Sequence, residues 1–233
     1  MDNIIIITGG TSGYGYAAAE LFKAAGERVI VASRTAADVD KTKEELGVDG
    51  FVMDIAKESD WIKLYEYVKE TYGRIDLLLN NAGGAIVVAP FLEQTSEQIT
   101  KSIDINLTGM IWGCKTFAPM MVEQKSGTII NVASACATQC WPNFSVYAAA
   151  KAAMLSFSKS LYVELREAGI RVTCVIAGAG DTGFCKNAGI PVVNFAMKAH
   201  EFSQSIVDIF NLPKHIVVED ITIWGNDQEV IPL

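Results

Sequence analysis

Histidine is nearly missing from this chain. His200 and His215 are the only two in 233 residues, and their spacing has no metal-site logic, so a zinc centre is not expected. Cysteine occurs five times, as Cys114, Cys136, Cys140, Cys174 and Cys185, an odd number with no C-x-x-C pair. These are expected to be small buried thiols in a reducing compartment; Cys136 and Cys140 fall close to the candidate active site, where oxidation is a risk. Positive charge is also in short supply: 19 Lys and Arg face 27 Asp and Glu, for a net charge of −8. That balance argues against a nucleic-acid partner, which would need clustered basic residues. Apolar runs such as Ile4–Ile7 fall far short of the roughly 18 residues a membrane-spanning helix needs. The opening Met1-Asp2-Asn3 lacks the basic start and apolar stretch of a signal peptide. A cytoplasmic location away from membranes is the expectation.

What the chain does have is apolar mass. Half of its residues are hydrophobic and only 20% are charged, enough for a sizeable core with apolar surface left over for subunit contacts. The length fits one domain, residues 1–233. Along it, β-branched runs alternate with helical patterns. Strands are expected at Asn3–Thr8, Arg28–Ala32, Gly50–Met53, Asp76–Leu79, Gly127–Val132, Ile170–Ile176 and Asp220–Trp224. Helices are expected at Tyr14–Ala25, Ala36–Leu46, Lys57–Tyr72, Ser96–Gln124 and Tyr147–Ala168, with a further helical pattern from about Phe195. Near-continuous Val/Ile/Leu strands between helices predict a mostly parallel sheet of about seven strands covered on both faces, an α/β doubly wound Rossmann fold. Ligands in such a sheet bind at the carboxyl ends of the strands, where strand order reverses.

The first such end reads Thr8-Gly9-Gly10-Thr11-Ser12-Gly13-Tyr14-Gly15. Gly9 permits a tight turn, Gly13 lets the backbone approach a diphosphate, and Gly15 allows close helix packing. The helix N-terminus that follows offers N–H groups and positive dipole to phosphate, with Thr11 and Ser12 adding hydroxyls. The spacing G-x-x-x-G-x-G after Thr8 resembles the short-chain dehydrogenase/reductase family, and the resemblance extends from Thr8 to Thr182 and more loosely to the end.

That resemblance implies a nicotinamide dinucleotide as cofactor. Strand two ends Ser33-Arg34 where an NAD site would carry a carboxylate for the ribose 2′-hydroxyl. Serine can donate to a 2′-phosphate and Arg34 can pair with it through its planar fork, so NADP(H) is expected. Asp54 matches the family's aspartate near adenine and, with Ile55, is assigned to the cofactor site. Asn80-Asn81-Ala82-Gly83 matches the family's N-N-A-G turn, giving Asn80 and Ala82 a cofactor role. Thr182 is in register to contact the nicotinamide carboxamide, although Ala177 and Gly180 depart from the family's usual proline and bulkier residue.

The family's chemistry uses Tyr and Lys four apart on a helix, one turn, on the same face. Two such pairs exist, Tyr65/Lys69 and Tyr147/Lys151. Only the second has a serine thirteen residues earlier at a strand end, Ser134. Tyr65/Lys69 is therefore taken as a solvated helix pair. With Asn106 as fourth member, the expected catalytic set is Asn106, Ser134, Tyr147 and Lys151. In that reading Lys151, and the oxidised nicotinamide when present, lower the Tyr147 pKa, Tyr147 exchanges a proton with the carbonyl or alcohol oxygen, and Ser134 stabilises that oxygen. Asn106 holds a water that relays protons to Lys151. Tyr147 and Lys151 also belong to the cofactor site. The activity implied is carbonyl reduction or alcohol oxidation on a small molecule. Other readings are a catalytically idle NADP-binding regulator and an NAD-preferring alcohol dehydrogenase of the same family. The family's extended epimerase branch differs in glycine spacing and carries a longer substrate domain.

Ala135, Cys136, Trp141, Phe144 and Phe184 point to an apolar substrate pocket. A short lid near 183–195, punctuated by Gly183, Gly189 and Pro191, is expected to be poorly ordered over Phe184–Val193 without ligand, leaving an open site for small or medium uncharged carbonyls. Met110, Trp112, Phe117, Met120, Met121, Met154, Phe157 and Tyr162 cover most of the surface of two helices. They imply a homodimer or homotetramer paired through those helices, as in relatives.

Overall fold

The computed structural model describes residues 2–191 and 197–228. Seven strands form one sheet: β1 (Ile4–Thr8), β2 (Arg28–Ser33), β3 (Asp49–Val52), β4 (Leu77–Asn80), β5 (Gly127–Ser134), β6 (Ile170–Ala177) and β9 (Asp220–Ile223), in the order β3-β2-β1-β4-β5-β6-β9. Every pairing is parallel. The expected doubly wound sheet is therefore the observed one. Sequence order runs outward in both directions from the β1/β4 boundary, which is the switch point at which crossovers leave for opposite faces.

Alternation within each strand explains why the sheet needs cover on both sides. On one face Ile4, Ile6, Leu78, Ile129 and Val172 pack against α3 (Glu58–Thr71), α5 (Gly109–Gln124) and α6 (Ser145–Leu165), with Trp61, Phe117 and Met154 in the interface. On the other, Ile5, Ile7, Val31, Leu79 and Ile130 pack against α1 (Gly13–Ala24) and α8 (Ala199–Asn211), through Ala18, Phe22, Phe202 and Ile206. α2 (Ala36–Leu46) covers the β2–β3 edge and ends at Gly47, whose left-handed φ of 63° serves as a C-cap.

Three sequence expectations change. The long helix foreseen over Ser96–Gln124 is α4 (Ser96–Ile103), a π-helical stretch over Asp104–Thr108, and α5. Periodicity alone does not reveal an inserted residue of this kind; the stretch carries Asn106 inward, toward the turn after β4. Of the eight apolar residues invoked for subunit pairing, Met110, Phe117, Met120, Met121 and Met154 belong to this chain's own core. Those left partly buried on α5 and α6 are Trp112, Phe157 and Tyr162, beside exposed Val122 and Val163. The thiols are less uniformly buried than expected: Cys114 and Cys174 are buried, Cys136 and Cys185 half-buried, and Cys140 exposed.

After β6 the chain forms β7 (Gly180–Asp181), then α7 (Phe184–Ala188), then β8 (Met197–Lys198), which pairs back with β7. Gly183 and Gly189, both at positive φ, bound α7 as its caps, so the glycines interrupt the segment where expected. Phe184–Ala188 is helical where poor order was foreseen, while the rest of that expectation at 192–193 and the helical start at Phe195 lie outside the described residues. No described helix is long and apolar enough to cross a membrane.

Candidate active site

A cleft of about 590 Å3 opens along the carboxyl edge of the sheet across the switch point. The glycine loop forms one wall. Gly9 turns at a φ of 66°, a conformation that side chains rarely adopt, and a Cβ there would crowd Ala82 Cα and Asn81 Nδ2, both at 3.0 Å. Gly15 does not face the cleft; it lets α1 pack on the Gly9 carbonyl, where any side chain would collide. Ser12 is the N-cap of α1 but makes no side-chain cap, leaving the first-turn N–H groups available to an anion.

The loop is tied to β4 by Thr8. Its Oγ1 accepts from the amides of Asn81 and Ala82, each at 3.0 Å, and donates to the Leu79 carbonyl at 3.4 Å. Asn81 Nδ2 donates to the Thr8 carbonyl at 3.0 Å and to Gly9 at 3.4 Å. The bracing asparagine is thus Asn81. Asn80, assigned to the cofactor from sequence, points the other way into the core, where its Nδ2 donates to Asn131 Oδ1 at 2.9 Å. Successive residues leaving a strand face opposite sides, and only one of the two asparagines reaches the loop.

Farther along, Thr11 donates to Ser33 across 3.1 Å, and Ser33, the exposed Arg34, Asp54 and Ile55 line the same end of the cleft. Asp54 Oδ1 accepts from the Ala56 amide at 3.1 Å, and the Ile55 carbonyl accepts from Trp61 Nε1 at 2.9 Å. Both therefore face the cleft on an anchored turn. Among the described residues Arg34 makes no ion pair.

The other end gathers Ser134 from the end of β5 with Tyr147 and Lys151 from the first turns of α6, as the thirteen-residue spacing anticipated. Tyr147 lies between Phe144 and Phe184, with ring centroids 6.1 and 5.8 Å away. Lys151 is 3% exposed, and its Nζ donates to the Val132 carbonyl at 2.9 Å while standing 5.8 Å from the Tyr147 ring centre. Burial lowers the Lys151 pKa to about 8. Burial also raises the Tyr147 phenol above its ordinary value; the neighbouring Cys136 thiol adds to this, the Ser134 hydroxyl opposes it, and Tyr14 adds slightly. Lys151 is not among the causes of this shift in the protein by itself, and the expected lowering by Lys151 together with the oxidised nicotinamide concerns the bound state. In the protein by itself the ammonium is directed to a carbonyl, and desolvation dominates.

Asn106 is fully buried and does not line the cleft. Its Nδ2 donates to the carbonyls of Gly84 (2.8 Å) and Ser102 (3.0 Å), and its Oδ1 accepts from the Gly84 amide at 2.9 Å. Both amide hydrogens are thus spent on the chain, and the residue pins the turn after β4. That turn is close to Lys151: a Cβ on Gly83 would sit 2.9 Å from Asn106 Oδ1 and 3.3 Å from Lys151 Nζ. Tyr65 and Lys69 lie elsewhere. Tyr65 is not solvated as expected but packs on Phe117, 5.9 Å between ring centres, with Lys69 over its exposed side.

Residues 177–180, singled out in the sequence as departures from the family's pattern, form a wall of the cleft, and sequence reasoning missed Gln228, whose Oε1 accepts from the Ala179 amide at 2.7 Å. Nothing local in the sequence marks a glutamine so far from the motifs. On that wall Thr182 meets Gly13, where a Cβ would come within 2.8 Å of Thr182 Cβ.

The family model described as short chain dehydrogenase matches residues 3–191. The chain belongs to that family. It is 27% identical over 225 residues to an uncharacterized oxidoreductase of Staphylococcus aureus strain MRSA252, covering 95% of this chain and 96% of the relative. Among solved structures it is similar to the closed form of a serine dehydrogenase complexed with NADP+, at a TM-score of 0.91 and 26% identity over 99% of this chain and 98% of that one. It is likewise similar to a short-chain dehydrogenase from Sphingobium yanoikuyae in complex with NADPH, at 0.83 and 29% over 93% and 87%. The cleft of this short chain dehydrogenase fits a dinucleotide on its own features: a glycine cradle without side-chain room, an uncapped helix start, and hydroxyl and guanidinium donors at the β2 end.

The Thr8 tie gives a direct check. Thr8→Val keeps the shape and leaves two amides without their acceptor, which should cost about 2 kcal/mol or more. Urea unfolding reads the stability, and nucleotide affinity should fall with it; a variant as stable as wild type would show that the tie does not hold the loop.

Proposed function

We propose that this chain is an NADP(H)-dependent reductase of small and medium uncharged carbonyl compounds. One observation carries the reading: a single cleft brings Ser134, Tyr147 and Lys151 together at one end and Ser33 with Arg34 at the other. Gly9, Gly13 and the start of α1 would hold the diphosphate, Ser33 and Arg34 the 2′-phosphate, Asp54 and Ile55 the adenine, Ala82 the adenosine-ribose side, and Thr182 the nicotinamide. When bound, the dinucleotide supplies the hydride.

The chain's own residues supply the rest. Burial keeps Tyr147 protonated at neutral pH, so it is ready to give a proton to a carbonyl oxygen as charge develops there. Ser134 donates a second hydrogen bond to the same oxygen. Lys151, anchored on the Val132 carbonyl, holds the ribose hydroxyls. Asn106 fixes the Gly83–Gly84 turn beneath Lys151 through its side chain. The outward sides of α5 and α6 join subunits in a homo-oligomer.

Substrate charge follows from the lining. The charged residues on the cleft are Arg34, Asp54 and Lys151; the first two follow β2 and β3, and the third is buried and engaged. The substrate end is otherwise formed by Cys136, Trp141, Phe144, Phe184, Asn187 and Ile190. Apart from Lys186, on α7 between the lining residues Cys185 and Asn187, no described cation stands near this end for a carboxylate, so serine, the substrate named for a similar structure, is a poor fit.

NADPH should bind at least about tenfold more tightly than NADH, about 1.4 kcal/mol, with Arg34→Ala losing most of that preference. With NADPH, kcat/KM over a panel should favour neutral ketones over keto acids. Equal Kd for both nucleotides, or a preference for charged substrates, would contradict the assignment.

Lys151 sets a pH signature. Its pKa is about 8 in the free protein, and a bound polyanion raises it. Binding therefore takes up a proton above that value, and affinity falls as pH rises through it. Calorimetry at about pH 8.5 in two buffers of different ionisation enthalpy should give different heats, with uptake in the sign. Identical heats and a flat affinity profile would rule this out.

A further inference from the structure

Trp141, Pro142, Asn143 and Phe144 form a turn just ahead of α6. The Phe144 amide donates to the Trp141 carbonyl at 3.4 Å, and Asn143 stands in the left-handed region at a φ of 72°. Proline second and a left-handed residue third are the marks of a type II turn. Asparagine tolerates that conformation better than most residues, but holding it there still costs stability, and such positions gather at sites that use them. A turn of this kind brings its first and fourth residues side by side. Here they are Trp141 and Phe144, and both are half-buried on the cleft. Phe184, which opens α7, brings a third ring from a separate element and is also half-buried there.

The two phenylalanines meet Tyr147 at interplanar angles of 63° and 51°. Neither lies flat on the phenol, and each keeps ring surface open to the cleft. Such a lining differs from an ordinary apolar wall. Cys136 and Ile190, which complete it, offer an incoming group little beyond dispersion. The rings carry a quadrupole, negative on the face and positive at the edge, which another aromatic ring meets in edge-to-face or offset contact and a saturated ring cannot. A carbonyl that reaches Tyr147 and Ser134 has its substituent among these three rings. Resting on the carbonyl-reductase reading above, we propose that the substrates of this site are carbonyl compounds bearing an aromatic ring, which is held by Trp141 and Phe144 of the turn and by Phe184 of α7.

Two ketones test this: 1-phenylpropan-2-one and 1-cyclohexylpropan-2-one. They share a carbon skeleton, and a methylene separates ring from carbonyl in both, so conjugation does not alter the reacting group. The ratio of their kcat/KM values is measured with NADPH, or with NADH if wild type prefers it, in wild type, Phe144→Leu, Phe184→Leu and Asn143→Val. Wild type should favour the phenyl ketone about fivefold or more, although the saturated ring is the more apolar of the two. Each leucine variant keeps apolar volume but loses the quadrupole, and should bring the ratio to about twofold or less. Asn143→Val places a β-branched residue at a left-handed φ and should lower the ratio as well. A wild-type ratio at or below one overturns the proposal whatever the variants do, because a merely apolar wall behaves that way. A wild-type preference that both leucine variants retain overturns the rings as its source, and one indifferent to Asn143→Val overturns the part given to the turn. Wild type that reduces cyclohexanone but neither test ketone overturns the aromatic class and leaves the reductase reading standing. Wild type that binds the dinucleotide and reduces none of the three overturns both.

Discussion

The Thr8 hydroxyl ties the end of β1 to the turn after β4, at the one place where the sheet's crossovers part toward opposite faces. Neighbouring strands elsewhere are held by ladders, but here they run out together and their carboxyl ends are free to splay. Two amides converging on one side-chain oxygen stop that, and Asn81 adds a second tie by donating to the Thr8 carbonyl. The glycine loop can then stay open and free of side chains without losing its shape. The same turn continues into Gly83 and Gly84, which Asn106 pins from the π-helical stretch between α4 and α5. One bonded path thus runs from the first strand to the underside of Lys151.

α6 meets this path from the other direction. Its Tyr147 and Lys151 are buried together, and burial acts on them in opposite senses: it keeps the phenol protonated and makes the ammonium easier to deprotonate. A protonated phenol beside an apolar, uncharged substrate end suits proton delivery to a carbonyl. The reverse reaction needs the phenolate, which this environment disfavours until positive charge is brought beside it. Desolvation, more than a tyrosine–lysine ion pair, sets the resting protonation of the phenol.

Much of this is legible in the amino-acid sequence. Strand runs such as Ile4–Thr8 and Ile170–Ala177 are apolar on both faces, which only a covered parallel sheet accommodates, and the spacing from Ser134 to Tyr147 separates the active pair from Tyr65/Lys69. What is not legible there has physical causes. Asn80 and Asn81 are identical in chemistry, and strand alternation, fixed only by the last paired residue, decides which reaches the glycine loop. The π-helical stretch at Asp104–Thr108 leaves hydrophobic periodicity nearly intact. The apolar residues of α5 and α6 look alike whether they face the core or a partner. Gln228 reaches the cleft wall through tertiary folding alone.

The central claim is that Tyr147 delivers the proton in a site that binds its nucleotide by other groups. Single-turnover oxidation of bound NADPH by the best ketone in a Tyr147→Phe variant tests this most directly. Nucleotide affinity should stay within about twofold of wild type while the hydride-transfer step slows by about a thousandfold. A correctly folded variant that transfers hydride within a few fold of the wild-type rate would contradict it.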